Sequence, residues 1–198
     1  MKLDSSYKTL EKHFYEKPTI AVAQALLGCL LINQTEEGIT SGFVVETEAY
    51  IGPNDKAAHS FNNRRTKRTE VMFGEAGHVY TYVMHTHCLL NVVTGEIGKP
   101  EAVLIRALEP YSDVDLMIKK RGNMNLKNLT SGPGKLTKAL DVGMEAYGRP
   151  MFKSPLFLAE GFKPKEISSG KRIGIGNAGD AKEYPWRFWV TGNKFVSR

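Results

Sequence analysis

The stretch GFVVETEAYIG, residues 42–52, constrains the fold more than any other part of the chain. β-Branched and aromatic residues dominate it, and such residues suit an extended backbone. Side chains alternate between the two faces of a strand. Phe43, Val45, Thr47 and Ala49 then share a face that can pack on a core, and Val44, Glu46, Glu48 and Tyr50 share the other. Two acids beside an aromatic ring form either a solvated face or the wall of a cleft. The cleft requires a cation to hold one acid ionised. Arg106, which interrupts the apolar run VLIRAL, is the candidate. A buried arginine has to be paired. Glu48 is the expected partner, whether the pair is a structural salt bridge or part of a reactive centre.

Around this strand the chain reads as short apolar runs separated by polar turns. Residues 19–27 have helical spacing, with Thr19 as cap and Gly28 as stop, and Cys29–Ile32 then run extended. NQTEEGITSG reads as the turn that returns the chain into the 42–52 strand. HVYTYVMH and CLLNVVTG form another strand pair, and EAVLIRALEP a further strand that Pro110 closes. SDVDLMIKKRG has acids first and bases last, as a helix dipole prefers. TSGPGKLTKALDVG begins a second helix with proline in its first turn. KRIGIGNAG and WRFWVTGN are the expected late strands. The order predicts a mixed α/β (α+β) fold with mainly antiparallel pairing, in one domain over residues 1–198.

The 198 residues are 41% hydrophobic, enough for a core at this length, and the net charge is +6. Basic residues gather at Arg64, Arg65, Lys67 and Arg68, at 119–121, and at Lys163, Lys165, Lys171 and Arg172. Such clusters suit a polyanionic partner or a soluble surface rich in lysine. The first cluster falls in residues 53–70, a segment without period that reads as a long basic loop; loops of that length are uncommon unless functional. The opening MKLDSSYKTLEKHF lacks the apolar segment of a leader peptide, and no apolar run is long enough to cross a bilayer, so a cytoplasmic protein without membrane partners is expected. Cys29 and Cys88 sit among apolar residues and read as buried reduced thiols.

Two motifs are set aside. HTHC at 85–88 places His85 and His87 near a cysteine, but a closed zinc site needs about four ligands and no second cluster exists, so no metal is expected. GIGNAG at 174–179 matches G-x-G-x-x-G, but no helix and parallel strand can follow in the 19 remaining residues, so no dinucleotide or other cofactor is expected. Those glycines suit a tight turn or a close approach to another backbone. Tyr80 and Tyr82 alternate with Thr81 and Val83 and so face one way together.

The blocks VETEAYIGPNDKAAHS, LIRALEP, SGPGKLTKAL and RIGIGNAG, in that order, resemble the 3-methyladenine DNA glycosylase family of the mammalian alkyladenine type. The resemblance runs from about AVAQALLGCLL to RFWV. It implies a single domain built around a curved antiparallel sheet. It implies excision of damaged purines from double-stranded DNA by a monofunctional hydrolytic enzyme in the bacterial nucleoid, acting as a monomer, with alkylated bases as substrates and deaminated or etheno bases left open. Glu48 falls on the general base of the family. Arg106 and the backbone carbonyl of Ile173 fall on the groups that hold the nucleophilic water. Tyr50, His59, Tyr82 and Asn91 fall on the pocket for the flipped base. Arg64, Arg65, Thr66 and Arg68 lie on the loop expected to hold phosphates. The wedge hairpin of the family is one residue shorter here, and Met84, or else His85, takes that role.

A cationic alkylated base stacked on Tyr50 and Tyr82 would gain about 0.5–2 kcal/mol of cation–π attraction. Glu46 is expected to be minor or structural, and no lysine is expected at a position to form a Schiff base. A non-catalytic nucleic-acid module and an enzyme of free nucleosides are the rival readings. Neither explains an ionised acid, a basic loop and a wedge together.

Overall fold

A computed structural model describes residues 7–122 and 124–197; the first six residues, on which the leader-peptide reading partly rests, lie outside this range. Four helices appear in the described residues: α1 Lys12–Tyr15, α2 Thr19–Ala25, α3 Val114–Arg121 and α4 Pro133–Leu140. The strands are β1 Leu30–Thr35, β2 Gly38–Ile51, β3 Val79–Met84, β4 His87–Thr94, β5 Glu101–Ser112, β6 Leu156–Ala159, β7 Ile167–Gly170 and β8 Arg187–Val190. They form one antiparallel sheet in the order β3-β4-β5-β2-β1-β6, with β8 pairing both β2 and β7. The sheet does not close on itself, and the whole is a single α+β domain, as the element pattern predicts. No helix among the described residues is long and apolar enough to cross a membrane.

β2 is the axis of the molecule. It pairs with β5 along one edge, and on the other with β1 through residues 38–43 and with β8 through residues 46–48. Strands on both sides and cover on both faces leave residues 44–49 fully buried, acids included. α2 and α4 cover one face: Val22, Leu26, Leu136 and Leu140 pack there on Val44, Ala49, Val92 and Ile105. The opposite face carries a smaller cluster around Tyr80, Tyr82, Leu89 and Leu104. That second, incompletely filled face is where a site can form.

Several boundaries differ from expectation. Thr19 is the first helical residue and caps nothing; its hydroxyl meets Thr94 at 2.9 Å and the Glu101 carboxylate, tying α2 to the sheet. The 35–42 region is strand apart from the two residues Glu36 and Glu37, so the β1–β2 hairpin is tighter than NQTEEGITSG suggests. β5 continues two residues past Pro110. β6 was not expected. KRIGIGNAG is a loop, and the late strands are Ile167–Gly170 and Arg187–Val190. Gly174 takes φ +78, a left-handed conformation that breaks a ladder. Cys29 is buried, whereas Cys88 is only half-buried; both thiols are free.

Candidate active site

The site begins with two irregularities in the β2–β5 ladder. Val44 pairs with Leu108 and Glu46 with Ala107, which leaves Val45 out; Thr47 then pairs with Ile105, which leaves Arg106 out. An extra residue in a strand bends it and re-aims a side chain. The bulge at Val45 reverses the expected facing. Val44 packs in the main core with Ala49, and Val45 packs with Ala107 and Phe195. The bulge at Arg106 turns its guanidinium toward β2, between the two acids.

Glu48 is wholly inaccessible to solvent. Its Oε2 accepts from Arg106 Nη1 at 3.2 Å and from the Tyr50 hydroxyl at 2.8 Å, and its Oε1 accepts from the Ile173 backbone N–H at 2.7 Å. A carboxylate has about four acceptor sites, so Oε1 retains one. Hydrogen bonds to an ionised partner are roughly twice as strong as neutral ones. Arg106 also donates from Nε to Glu46 at 3.0 Å. Burial opposes its charge, but Glu48 and Glu46 outweigh burial and raise its pKa. Burial first, and then the Glu48 charge, push the Tyr50 phenol well above its usual range, which keeps it a donor. Ile173 thus meets Glu48 through its N–H, a contact apart from the water-holding role that the resemblance implies for its carbonyl.

Above this centre lies a pocket of about 340 Å³, at the small end of ligand cavities. Tyr50, His59, Tyr80 and Tyr82 wall it, Asn91 and Arg106 reach it, and the loop from Ile173 to Ala178 borders it. His59 Nδ1 lies 2.7 Å from the Tyr80 hydroxyl, and its ring stands edge-on to Tyr82 at 4.6 Å between centroids. Burial, and after it the Arg68 and Arg64 charges, push the His59 pKa down to about 4, so the imidazole is neutral at pH 7. Asn91 donates to the Tyr80 carbonyl at 3.0 Å. Met84, the third of the alternating residues after Tyr80 and Tyr82, stands at the pocket mouth and is 43% exposed. His85 and Thr86 form the two-residue tip, both at positive φ. Gly134 of α4 lets this hairpin close on the helix: a Cβ there would lie 2.6 Å from that of His87.

The basic loop divides. Arg65 is engaged by Glu70 through two hydrogen bonds and lies over Phe73, and Thr66 folds back on Thr69. The Arg64 and Arg68 guanidinium groups make no ion pair among the described residues and are exposed. Elsewhere some of the basic residues are engaged, while Lys163 and Lys165 stay exposed. Lys119 and Lys120 pair with Glu37, and Lys120 also with Asp141. Arg172 is buried, forked onto Asp55 at 2.5 and 2.8 Å and held between Tyr50 and Trp186.

Four features escaped the sequence reading. Tyr80 joins the pocket, which its spacing from Tyr82 could have signalled. Lys56 lines the pocket, where the sequence had indicated only that no lysine is placed to form a Schiff base. Glu46 is a hub: Arg106, Arg187 and Ser197 all bind it. Arg172 backs the Tyr50 ring.

A buried acid held by an arginine thus lies next to a pocket walled by aromatic side chains, an arrangement that suits an enzyme acting on a flat ring. A family profile described as methylpurine-DNA glycosylase matches residues 13–194. A protein of Bacillus licheniformis is 59% identical over 196 residues, covering 99% of this chain and all of that one. A protein of Bacillus subtilis strain 168 is 60% identical over 185 residues, 93% of this chain and 94% of that one. One of Oceanobacillus iheyensis is 52% identical over the full length of both. All three carry the name "Putative 3-methyladenine DNA glycosylase". The chain belongs to the methylpurine-DNA glycosylase family, and it is accordingly an enzyme that hydrolyses N-glycosyl bonds. The reading as a non-catalytic nucleic-acid module falls with that result.

Proposed function

We propose that this enzyme turns a damaged purine out of duplex DNA into the pocket and cleaves its N-glycosidic bond with a water activated by Glu48, leaving an abasic site. The observation that carries this reading is the buried Glu48 carboxylate, fixed by Arg106, Tyr50 and Ile173, with one acceptor site left on Oε1. Alkylated purines, 3-methyladenine first, are the substrates; the names of the relatives point the same way.

A base inside a duplex is out of reach, so it must be extruded, at a cost of a few kcal/mol that is smallest for a damaged pair. Arg64 and Arg68 offset this cost through phosphates, which are the same at every sequence. Met84 enters the vacated stack, with His85 next to it as the alternative. The base lies against Tyr50 and Tyr82, and His59, uncharged, neither repels a cationic ring nor competes for its charge.

As the bond lengthens, positive charge builds on the sugar and the bonding pair leaves with the base. The water oxygen attacks the anomeric carbon, and its proton passes to Oε1 of Glu48. The Ile173 carbonyl is the second acceptor for that water. An alkylated purine leaves as a neutral base and needs no strong acid. Hydrolysis uses no enzyme amine, so no strand cleavage follows. Every group named lies in one chain, so a monomer suffices, working on the nucleoid in the cytoplasm.

The test is base release from duplexes that each carry one defined lesion. Release of 3-methyladenine with an intact abasic strand is expected, with free nucleosides untouched. Borohydride trapping of the DNA on Lys56 would instead show a lyase.

A further inference from the structure

Glu46 and Glu48 both hold Arg106, but Glu46 is far more tightly enclosed. Its Oε1 accepts from Arg106 Nε at 3.0 Å, from Arg187 Nε at 2.7 Å and from the Ser197 hydroxyl at 2.8 Å. Its Oε2 accepts from the Ser197 backbone N–H at 2.6 Å. Ser197 is itself pinned, because Arg106 Nη2 donates to its hydroxyl at 3.2 Å and Arg187 Nη2 to its carbonyl at 3.0 Å. The Arg187 guanidinium lies over the Trp189 ring, 4.7 Å from its centroid. Two of the three guanidinium nitrogens of Arg106 are thereby occupied on the side away from the pocket, and Nη1 alone faces Glu48. Two acids and two arginines share the enclosure, so its charge balances.

We infer that Glu46, Arg187 and Ser197 form a positioning unit that presents Arg106 to Glu48 through one nitrogen, so that residues 187–197 complete the reactive centre. This rests on the reading of Glu48 as base and goes beyond it. Glu48 touches the water, and the unit sets how much of the Arg106 charge Glu48 receives. A salt bridge without this purpose would not need to hold three of the donors around one oxygen.

The charges that face Glu48 are Arg106 from β5 and Glu46 from its own strand, with the phenols of Tyr50 and Tyr82 beside it. Arg187 from β8 faces Glu46. Removing Arg187 leaves Arg106 as the one cation for two acids, and Glu48 receives less of its charge. Removing the Glu46 charge leaves two arginines against one acid, and Glu48 receives more of it. The two changes therefore move the acid limb of the rate profile in opposite directions.

The experiment is single-turnover release of 3-methyladenine from a lesion duplex across pH, with duplex affinity measured in parallel. Arg187→Met is expected to move the acid limb up by about one pH unit or more, and Glu46→Gln to move it down. Arg187→Lys keeps the charge and is expected to restore most of the Arg187→Met shift. Ser197→Ala keeps both charges and loses one hydroxyl; kcat is expected to fall roughly tenfold at unchanged duplex affinity. It serves where a charge variant does not fold. Acid limbs that coincide with the wild type, with rates lowered only in proportion to the folded fraction, overturn the inference; for Ser197→Ala an unchanged kcat does so. Full release by Glu48→Gln would be a different failure, that of the base assignment itself.

Discussion

Glu46, in its enclosure, and Glu48, beside the pocket, sit two residues apart on one strand and are equally hidden from solvent. They differ in how completely their carboxylates are bonded. Glu46 receives four hydrogen bonds, two of them from arginines. Glu48 receives three and lies beneath a cavity wall formed by Tyr50, Arg106 and Ile173. Burial alone therefore does not mark the reactive acid. Glu46, with three donors crowded on Oε1, is the more tightly held acid; Glu48, with one donor on Oε1 beside the pocket-lining Ile173, is the one proposed to take a proton.

The sharpest way to break that contrast is to remove the residue both regions share. Arg106→Met leaves two buried carboxylates with one cation between them. It is expected to lower stability by about 3–5 kcal/mol, read by urea unfolding, and to abolish base release in whatever protein folds. Unfolding of Glu46→Gln against Glu48→Gln separates the two regions next. Glu46→Gln strands Arg187 and is expected to cost more stability than Glu48→Gln, which loses one link to an arginine that keeps its other partners. Equal costs would erase the distinction.

His59 probes the pocket side through pH. Its pKa is about 4 when folded and about 6.5 when free. The unfolded chain takes up the proton first as pH falls. Stability is therefore lost progressively from about pH 6.5 to about pH 4, with no further loss from this group below that. Denaturation at pH 7 and pH 5 is expected to show the loss in the wild type and a smaller one in His59→Gln. The smallest effect expected is on the loop. Arg64→Ala and Arg68→Ala should each reduce the log–log salt slope of duplex binding by about one, whereas Arg65→Ala should change it less because Glu70 already holds that side chain.

Much of this was legible in the sequence. The strand 42–51 and the Arg106 interruption pointed to the sheet and the ion pair, and the alternation of Tyr80 and Tyr82 to two rings on one face, while the pocket itself came from the family resemblance. What the sequence concealed came from irregular backbone. The bulges at Val45 and Arg106 reverse a facing that simple alternation predicts, and no residue type there announces them. The β3–β4 hairpin turns through His85 and Thr86, in a geometry that usually selects Asn-Gly, so the turn residues gave no signal. Arg172 resembled surface charge because a run of basic residues does not reveal that Asp55 waits 117 positions earlier. The bonding of Ser197 to Glu46 joins residues 151 apart, beyond any local pattern.

Glu48→Gln keeps the shape of the side chain and removes its basicity, and the measurement is single-turnover release of 3-methyladenine from a lesion-bearing duplex, with duplex affinity taken on the same protein. A rate lower by about 10²–10⁴-fold at nearly unchanged affinity is the predicted result. Release at the wild-type rate would contradict the account.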